Sequence, residues 1–555
     1  MADWRSGADA FLEQLVAAGV EWIFGNPGTT EQQLLHRLPE YPQLGFVVAL
    51  HEAVAVVAAE GYARASGRIG VVELHAGPGL GNGMGMLYNA AEGRTPLLVY
   101  VGQSAQSGLY LEPTLSSDFA TMAAPVAKWA TEVRTADEIP QVVARAIKVA
   151  TTDPCGPVVV AVPMDLMNAE CSAAVCEPSV VDSRVTPSAA ALDAAAAVLS
   201  GAHRPVIVVG DGVARADAID DVSDLARLIG APIYGGFMSE TSIDPDDPLN
   251  AGRLPSIDSG EAERALVDHD VVVAIGTKVL SNVFTRPGLP LGAHPVVHIG
   301  LDAWELAKNQ PATVVYGDEA HATRNLIERL RPVMASRAAG TAARVEQCRE
   351  DIARRRARAI EADQRRFDAQ PMTVERAMAE IGAVLPRDVI VVDESLTGYA
   401  ALGRYLRLQR QGWYRLRGGG IGAGMPLPIG IQLARPEQRV VAFVGDGSAM
   451  YTISAMWTAA HHRLPVVWVV LNNASYRVLK ENLRRDGVDA DTARHLLGAD
   501  LVDPRLDFVS LAAGLGVAGS QVDDAASVGP ALLAALDRYE PYLLELAIDG
   551  ELSAP

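Results

Sequence analysis

The stretch VVAFVGDGSAMYTISAMWTAAHHRLPVVWVVLNN, residues 440–473, contains one complete strand–turn–helix–strand unit. The apolar run before Gly445 predicts a buried strand, and the following Gly-Asp-Gly predicts a tight turn into a helix. A right-handed crossover returns the chain to the same sheet edge, so Asp446 and Asn473 should lie side by side. Continuous apolar strands alternate with helical patterns along the chain, which predicts an α/β fold of parallel sheets covered by helices on both faces.

The paired turns predict a cation site. The Asp446 carboxylate and the Asn473 amide are hard oxygen donors, and the backbone carbonyl of Ser475 is a third. Glycines at the start of a helix let backbone N–H groups approach a phosphate. We therefore expect a diphosphate held through Mg²⁺, with Ca²⁺ as a possible substitute. A second Gly-Asp-Gly, at 210–212, is not followed by an asparagine at this spacing, and we interpret it as an ordinary strand-to-helix turn.

Composition excludes several classes of partner. The chain has 555 residues and a formal net charge of −20, which argues against nucleic acid and anionic membranes as partners. No apolar run is long enough to span a bilayer, and the amphipathic N-terminus does not resemble a signal peptide. The four cysteines lack a second pair at metal-ligand spacing, so we expect reduced thiols and a cytoplasmic location.

The strand–helix pattern divides into three blocks, at about 1–170, 190–335 and 370–555. A polar, turn-rich linker separates the first two blocks, and a charged helical connector separates the last two. The first and third blocks each contain a glycine-rich stretch, GPGLGNGMG at 77–85 and GGGIGAGMPLPIG at 418–430. This similarity indicates an internal duplication.

Four motifs together resemble one family. They are the Gly-Asp-Gly…Asn-Asn unit and the stretches FGNPGTTEQQLL (24–35), ALHEAVAVVAAEGYARASG (49–67) and LHAGPGLGNG (74–83). The chain resembles thiamine diphosphate enzymes of the benzoylformate decarboxylase and acetolactate synthase type. The resemblance implies a pyrimidine-binding domain, a middle domain and a diphosphate-binding domain, in that order. It also implies thiamine diphosphate, which accepts the electron pair that is left when a 2-oxo acid loses carbon dioxide.

The resemblance assigns roles in the first block. Glu52 would hydrogen-bond the aminopyrimidine ring of the cofactor, and its place between apolar residues fits a carboxylate with a function. His75 would face the reacting carbon and exchange protons. Thr29 would bind the substrate carboxylate, and Asn26 and Gly28 would shape its loop.

The resemblance also assigns roles in the third block. The carbonyl of Gly419 would accept from the aminopyrimidine, and Ile421 would wedge the cofactor into its bent form. The residues expected around the diphosphate are Gly445, Gly447, Ser448, Asn473 and Tyr476.

Other stretches depart from the decarboxylase pattern. Leu396 and Val478 are bulkier than the matching residues of the aryl-specific relative, which predicts a pocket for smaller or aliphatic 2-oxo acids. The stretch 276–288 has no histidine where the decarboxylase carries its second one, and this leaves carboligation open. The segment 480–508 is long enough for a lid. The arginines that could meet an anionic substrate tail or remain solvated are Arg477, Arg484 and Arg485.

The first hypothesis is a non-oxidative decarboxylase that releases an aldehyde from a 2-oxo acid, and the alternative is an acetolactate-synthase-like carboligase. A nucleotide-dependent oxidoreductase is disfavoured, because GDGVARA lacks the full dinucleotide fingerprint. A non-catalytic assembly partner is disfavoured by the presence of Glu52, Asp446 and Asn473. The resemblance implies at least a homodimer and favours a homotetramer, and it leaves FAD in the middle domain open.

Overall fold

The structure is a computed structural model, and it describes residues 4–236, 239, 240, 243–254, 260–278, 294–308 and 312–552. The described residues form three six-stranded sheets in which neighbouring strands run parallel. Helices cover both faces of the sheets. The prediction of an α/β fold with helix-covered parallel sheets is confirmed.

The strands follow the apolar runs of the sequence. Their bounds are β1 Trp22–Gly25, β2 Gly45–Val48, β3 Gly70–Leu74, β4 Leu97–Gln103, β5 Trp129–Glu132, β6 Val158–Pro163, β7 Pro205–Val209, β8 Ile233–Gly235, β9 Asn250–Arg253, β10 Val271–Ile275, β11 Val296–Gly300, β12 Thr313–Tyr316, β13 Ile390–Glu394, β14 Trp413–Arg415, β15 Val440–Gly445, β16 Val466–Asn472, β17 Ala518–Val522 and β18 Tyr542–Ala547. Buried Val, Ile and Leu dominate the central strands, as expected where both faces of a parallel sheet are covered.

The helices connect successive strands. Their bounds are α1 Gly7–Ala17, α2 Gln32–Arg37, α3 Glu52–Ser66, α4 Ala76–Glu92, α5 Phe119–Ala123, α6 Ile139–Thr151, α7 Met164–Asn168, α8 Ala189–Gly201, α9 Asp211–Arg215, α10 Ile219–Ile229, α11 Gly260–Leu266, α12 Ala303–Lys308, α13 Glu319–Ala335, α14 Ala338–Gln364, α15 Val374–Val384, α16 Tyr399–Tyr405, α17 Leu427–Ala434, α18 Asp446–Tyr451, α19 Ala455–His461, α20 Arg477–Arg485, α21 Ala490–Arg494, α22 Phe508–Gly514 and α23 Ala525–Asp537. Short 3₁₀ helices occupy Leu38–Glu40, Gln106–Leu111, Ala136–Glu138 and Leu396–Gly398.

The first and third sheets share one topology. Their strand orders are β2-β1-β3-β4-β6-β5 and β14-β13-β15-β16-β18-β17, which are the same order when each sheet is numbered from its own first strand. This equivalence supports the internal duplication inferred from the two glycine-rich stretches.

The middle sheet has a different order, β12-β11-β10-β7-β8-β9. The order reverses between β7 and β10, so a crevice opens at the carboxyl ends of these two strands. The long helix α14 then leads to the third sheet. Thr341 is its one buried position, and most of its charged residues lie at the surface, as the composition of the connector predicts.

The first and third sheets pack together through α3 and α17. Both helices carry a glycine at the crossing: a Cβ on Gly61 would overlap the Leu427 carbonyl oxygen, and one on Gly430 would overlap the Ala58 carbonyl oxygen. Only glycine permits this approach of two backbones. One apolar core therefore extends through both sheets. No described helix is both long and apolar enough to cross a membrane.

Candidate active site

Asp446 lies at the carboxyl end of β15, next to the loop that follows β16. The two strands pair in parallel with Gly445 opposite Leu471, so their ends are adjacent. The Asp446 Oδ2 atom accepts from the Ser475 backbone N–H at 3.2 Å, and the Asn473 Oδ1 atom accepts from the same N–H at 3.0 Å. Because both side-chain oxygens accept from one N–H, Asp446 and Asn473 lie side by side at this sheet edge, as the strand–helix–strand crossover predicts.

The protonation of Asp446 depends on this environment. Burial raises the pKa of its carboxyl to about 6, and backbone N–H groups, first that of Gly447, oppose the shift. A bound cation would restore the charged form. The described residues contain no group of three or more His, Cys, Asp and Glu side chains placed to hold a metal. A cation at Asp446 would therefore complete its shell with amide, backbone and ligand oxygens.

The glycine-rich loop after β14 is held by two buried side chains. The Glu394 carboxylate accepts backbone N–H groups of residues 422–424 at 2.7, 3.2 and 2.5 Å. Asn89, on α4, donates to the Gly420 carbonyl at 2.7 Å and accepts from its N–H at 3.0 Å. Gly419 has φ +87°, and nothing lies within 4 Å of the position of a Cβ on it. The loop is thus rigid on one side and open at Gly419.

Glu52 begins α3, where the helix N-terminus stabilises a negative charge. His51 caps the helix by accepting from the Ala53 N–H at 3.1 Å. The Glu52 side chain is buried, and its Oε2 atom accepts from the Asn82 amide at 3.0 Å. A Cβ on Gly79 would lie 3.1 Å from Oε1, so this glycine leaves room for the carboxylate. Glu52 is therefore held in a defined position beside the Asn82 amide.

His75 follows β3 and is held by residues from the loop after β1. Its Nδ1 atom lies 2.8 Å from Oε2 of the fully buried Glu31 and 3.2 Å from the Thr30 hydroxyl. Thr30 also donates to Glu31 at 2.6 Å. A Cβ on Gly28 would overlap the imidazole, so this position must be glycine. Thr29, to which the family resemblance assigns substrate binding, is exposed beside this group.

Glu73 lies opposite Gly25 in the register of β3 with β1. It is fully buried, and neither carboxyl oxygen has a hydrogen-bond partner among the described residues. Burial raises the pKa of Glu73 to about 9, and the neighbouring Glu31 and Glu52 add to the shift. Glu73 therefore carries a proton at neutral pH, next to two carboxylates of the site.

Comparison with known proteins identifies the family. Models of the thiamine pyrophosphate enzymes match in three parts: the N-terminal TPP-binding domain at residues 5–122, the central domain at 192–326 and the C-terminal TPP-binding domain at 397–546. Benzoylformate decarboxylase of Pseudomonas aeruginosa PAO1 is 32% identical over 97% of this chain and 98% of its own. This chain belongs to the thiamine pyrophosphate enzyme family.

Other relatives within this family catalyse different reactions. The acetolactate synthase large subunit of Parasynechococcus marenigrum is 27% identical over 98% of this chain and 87% of its own. A thiamine diphosphate-dependent 4-hydroxybenzoylformate decarboxylase of Rhodococcus jostii RHA1 superposes with a TM-score of 0.84 at 28% identity, covering 98% of this chain and 99% of its own. Membership of this family identifies the chain as an enzyme whose cofactor is thiamine diphosphate. It does not determine which reaction the enzyme catalyses.

The residues present in this thiamine pyrophosphate enzyme fit the cofactor. Ser448 is buried at the turn after β15, and its hydroxyl has no partner among the described residues, as expected for a group that meets a phosphate oxygen. The neighbouring Gly447 packs on Tyr476, where a Cβ would overlap the ring. Ile421 is half-buried and packs against the core beside the exposed Gly419.

The candidate substrate pocket lies where α20 packs against the 3₁₀ helix that starts at Leu396. Leu396 and Val478 are both half-buried, and Leu396 has φ +50°, a strained backbone conformation for a leucine.

Residues 279–288, which form most of the stretch 276–288 that has no histidine, lie outside the described residues. Arg477 is bound to Glu481 at 2.9 Å, while Arg485 is exposed.

The segment after α20 folds back on the cation loop. The Leu501 N–H donates to the Ala474 carbonyl at 2.8 Å, and the Ser475 hydroxyl donates to the Ala499 carbonyl at 3.0 Å. Lys480 forms an ion pair with Asp500. This part of the segment predicted to be a lid therefore braces the loop that carries Asn473.

Helix α4 separates the two groups of candidate residues. Asn82 on this helix contacts Glu52, whereas Asn89 contacts Gly420. Seven residues of helix correspond to about 10 Å along its axis. Among the described residues, no hydrogen bond joins Glu52 to Asp446.

Several residues of the candidate site are not among those predicted from the sequence. Glu31 follows directly on the GNPGTT motif, which is one available signal. Glu73 and Glu394 lie within or at the end of apolar runs, where a carboxylate is costly unless it has a function. The others carry no local pattern that points to the site. The residues missed are Glu31, Thr30, Glu73, Asn89 and Glu394.

Proposed function

We propose that this enzyme is a thiamine-diphosphate- and Mg²⁺-dependent non-oxidative decarboxylase that converts a 2-oxo acid to an aldehyde. The observation that supports this reaction most directly is the His75–Glu31 pair, at 2.8 Å, beside the loop to which the family resemblance assigns substrate binding. An aldehyde product requires a proton at the carbon that loses carbon dioxide. A histidine fixed by a buried carboxylate is suited to deliver it.

The residues of the third sheet would hold the cofactor. Asp446, Asn473 and the Ser475 carbonyl would bind Mg²⁺, and Ser448 would donate to the diphosphate. Bound thiamine diphosphate supplies an electron sink for the bond between the carbonyl carbon and the carboxylate that breaks.

The N-terminal residues would act on the ring and the substrate. Glu52 would hydrogen-bond the aminopyrimidine and so control the proton on its ring nitrogen. The hydroxyl of Thr29 would orient the substrate carboxylate, and His75 would hold the proton that the product acquires. The loop that carries Gly419 would fix the opposite edge of the aminopyrimidine.

The site requires a second copy of the chain in this proposal. The resemblance to thiamine diphosphate enzymes implies that the pyrimidine-binding motif of one chain meets the diphosphate-binding motif of another. Glu52 of one chain would therefore serve the cofactor held by the Asp446 group of another, which makes a homodimer the smallest active unit. Sedimentation analysis tests this, because a monomer that retains full activity would contradict it.

Carboligation is the second candidate. The stretch 276–288 contains no histidine to assist protonation, and an acetolactate synthase large subunit is among the relatives. Incubation of the purified enzyme with aliphatic and aryl 2-oxo acids, followed by separation of aldehydes from acyloins, decides between the two. Aldehyde as the main product supports the decarboxylase; acyloin alone would replace it with the carboligase.

A further inference from the structure

The Gly-Asp-Gly turn at 210–212, which follows β7, holds a residue of the cofactor loop. The Asp211 Oδ2 atom lies 2.5 Å from an Nη atom of Arg417, and both side chains are largely buried, with 19% and 8% of their surface exposed. Arg417 directly precedes the glycines 418–420, of which Gly419 is the proposed partner of the aminopyrimidine. An aspartate of the middle sheet thus reaches a loop of the third sheet.

This ion pair belongs to a network that joins all three sheets. The Asp211 Oδ1 atom accepts from the Glu240 backbone N–H at 2.8 Å. The Glu240 carboxylate binds Arg64 on α3 at 2.6 Å, and Arg64 donates to the Arg415 carbonyl at 2.8 Å. Arg64 also binds Glu60 at 2.9 Å. The helix that starts at Glu52 and the strand that leads into the cofactor loop are therefore tied to the same middle-domain turn.

The alternative role for this turn, a phosphate site, fits the contacts less well. The Gly212 N–H is already bonded to the Gly276 carbonyl at 3.0 Å, and the Val213 N–H to the Gly210 carbonyl at 3.1 Å. The Glu319 carboxylate lies against the turn, where a Cβ on Gly212 would overlap it. This carboxyl group occupies the space beside the turn that a phosphate would need.

The crevice beside the turn is also poorly suited to bind a phosphate. Its volume is about 690 Å³, and eight carboxylates against six Lys and Arg side chains line it. Five of these six cations form ion pairs within the chain; Arg94, for example, pairs with Asp302. The charges at the end of β7 therefore favour an ion pair with Arg417 of the same chain over the binding of a phosphate.

We propose that Asp211 is a positioning residue for the cofactor site, because it holds Arg417 and thereby keeps the loop 418–421 in the conformation that accepts thiamine diphosphate. Loss of one partner of a buried ion pair weakens the compensation of the other charge, and Arg417 would keep the more distant Glu240 carboxylate, at 3.8 Å. Arg417 would then move toward solvent and take the adjacent glycines with it. This inference rests on the proposed role of Gly419, and measurements of binding and of hydrogen exchange separate the two.

The test compares Asp211→Asn with Asp246→Asn. Asp246 also pairs across the middle and third sheets, with Arg387 at 2.6 Å, but both residues are exposed. Calorimetric titration of thiamine diphosphate into cofactor-free protein at fixed Mg²⁺ should give a dissociation constant about 10- to 100-fold higher for Asp211→Asn, the usual cost of losing a residue that orients a binding group. Asp246→Asn should bind like the wild type, and Asp211→Glu should restore part of the loss.

Hydrogen exchange of the cofactor-free protein is the second readout. Peptides covering residues 413–424 should exchange faster in Asp211→Asn than in the wild type and in Asp246→Asn, while the peptides of β15 and β16 remain unchanged. Equal exchange and equal dissociation constants in all three proteins would overturn the inference. If the wild type binds no thiamine diphosphate, the proposed site fails, while the exchange of residues 413–424 still reports on the Asp211–Arg417 contact.

A further variant covers the case in which Asp211→Asn does not fold. Arg417→Met removes the charge and keeps the aliphatic contact with Gly93. It should show the same faster exchange of residues 413–424, and the double variant should be no worse than the more affected single variant, because both changes break one interaction. Normal exchange in a folded Arg417→Met protein would contradict the inference.

Discussion

The Nδ1 atom of His75 lies 2.8 Å from Oε2 of Glu31; His75 directly follows β3, and Glu31 lies in the loop between the neighbouring strand β1 and helix α2. The carboxylate is fully buried, whereas about a quarter of the histidine side chain is exposed. The Nδ1 edge of the imidazole is thus held by a buried group, and the exposed part of the ring can contact a ligand.

Replacing Glu31 should slow the reaction without weakening the binding of the cofactor. Glu31→Gln keeps the shape of the side chain but removes the charge that orients His75, and we expect kcat to fall about 10- to 100-fold. Steady-state kinetics together with titration of thiamine diphosphate measure the two effects separately. Glu40→Gln, at an exposed position, is the control and should leave kcat unchanged. An unchanged kcat in Glu31→Gln would show that the pair is only structural.

Glu73 should make the stability of the enzyme depend on pH. Its folded-state pKa of about 9 lies above the ordinary value of 4.5, so the folded state keeps a proton that the unfolded state releases between these values. The wild type therefore loses stability at this residue as the pH rises, by at most about 1.4 kcal/mol per pH unit.

The variant Glu73→Gln has no such proton to lose. Its free energy of unfolding, relative to the wild type, should increase between pH 5 and pH 8. Urea denaturation at the two pH values measures this change. The exposed Glu437→Gln is the control, and its difference from the wild type should not depend on pH. A constant difference in Glu73→Gln as well would mean that Glu73 is ionised in the folded protein.

Asp446 should determine how tightly the enzyme binds Mg²⁺. Asp446→Asn keeps an oxygen donor but loses the charge, so Mg²⁺-supported binding of thiamine diphosphate should weaken about 100-fold. Because burial raises the pKa of Asp446 to about 6, protons should compete with Mg²⁺ as the pH falls through that value. Titration of EDTA-treated protein with Mg²⁺ or Ca²⁺ at pH 5 and pH 7.5 measures both effects. The exposed Asp486→Asn should bind as the wild type does.

Leu396 should restrict the size of the substrate. Glycine at this position removes the strain of φ +50°, which costs about 1–2 kcal/mol in a leucine, and it also opens the candidate pocket. In Leu396→Gly, kcat/KM for aryl 2-oxo acids should rise relative to that for short aliphatic ones. Val478→Ala should change the ratio in the same direction. A fall of both values in equal proportion would indicate that Leu396 does not line the pocket.

Local sequence pattern is enough to identify the class of fold and the family. Continuous Val-rich strands alternate with helices, and this pattern can be recognised without knowledge of the packing. The pairing of Asp446 with Asn473 is also predictable, because a strand–helix–strand crossover returns the chain to one sheet edge. The family resemblance singles out Glu52, and the cost of a charged residue at the start of an apolar helix agrees with a function for it.

The identity of the buried groups around the site depends instead on tertiary contacts. Glu31 resembles a surface carboxylate in the sequence, whereas Glu73 and Glu394 lie within or at the end of apolar runs. Which groups these carboxylates meet results from contacts between strands and loops far apart in the chain. The two Gly-Asp-Gly turns show the same limit. The two tripeptides have the same sequence, but Asp446 lies beside Asn473, whereas Asp211 pairs with Arg417, which comes from another sheet. Local pattern specifies a turn, and the charge that packs against it in three dimensions determines what the turn holds.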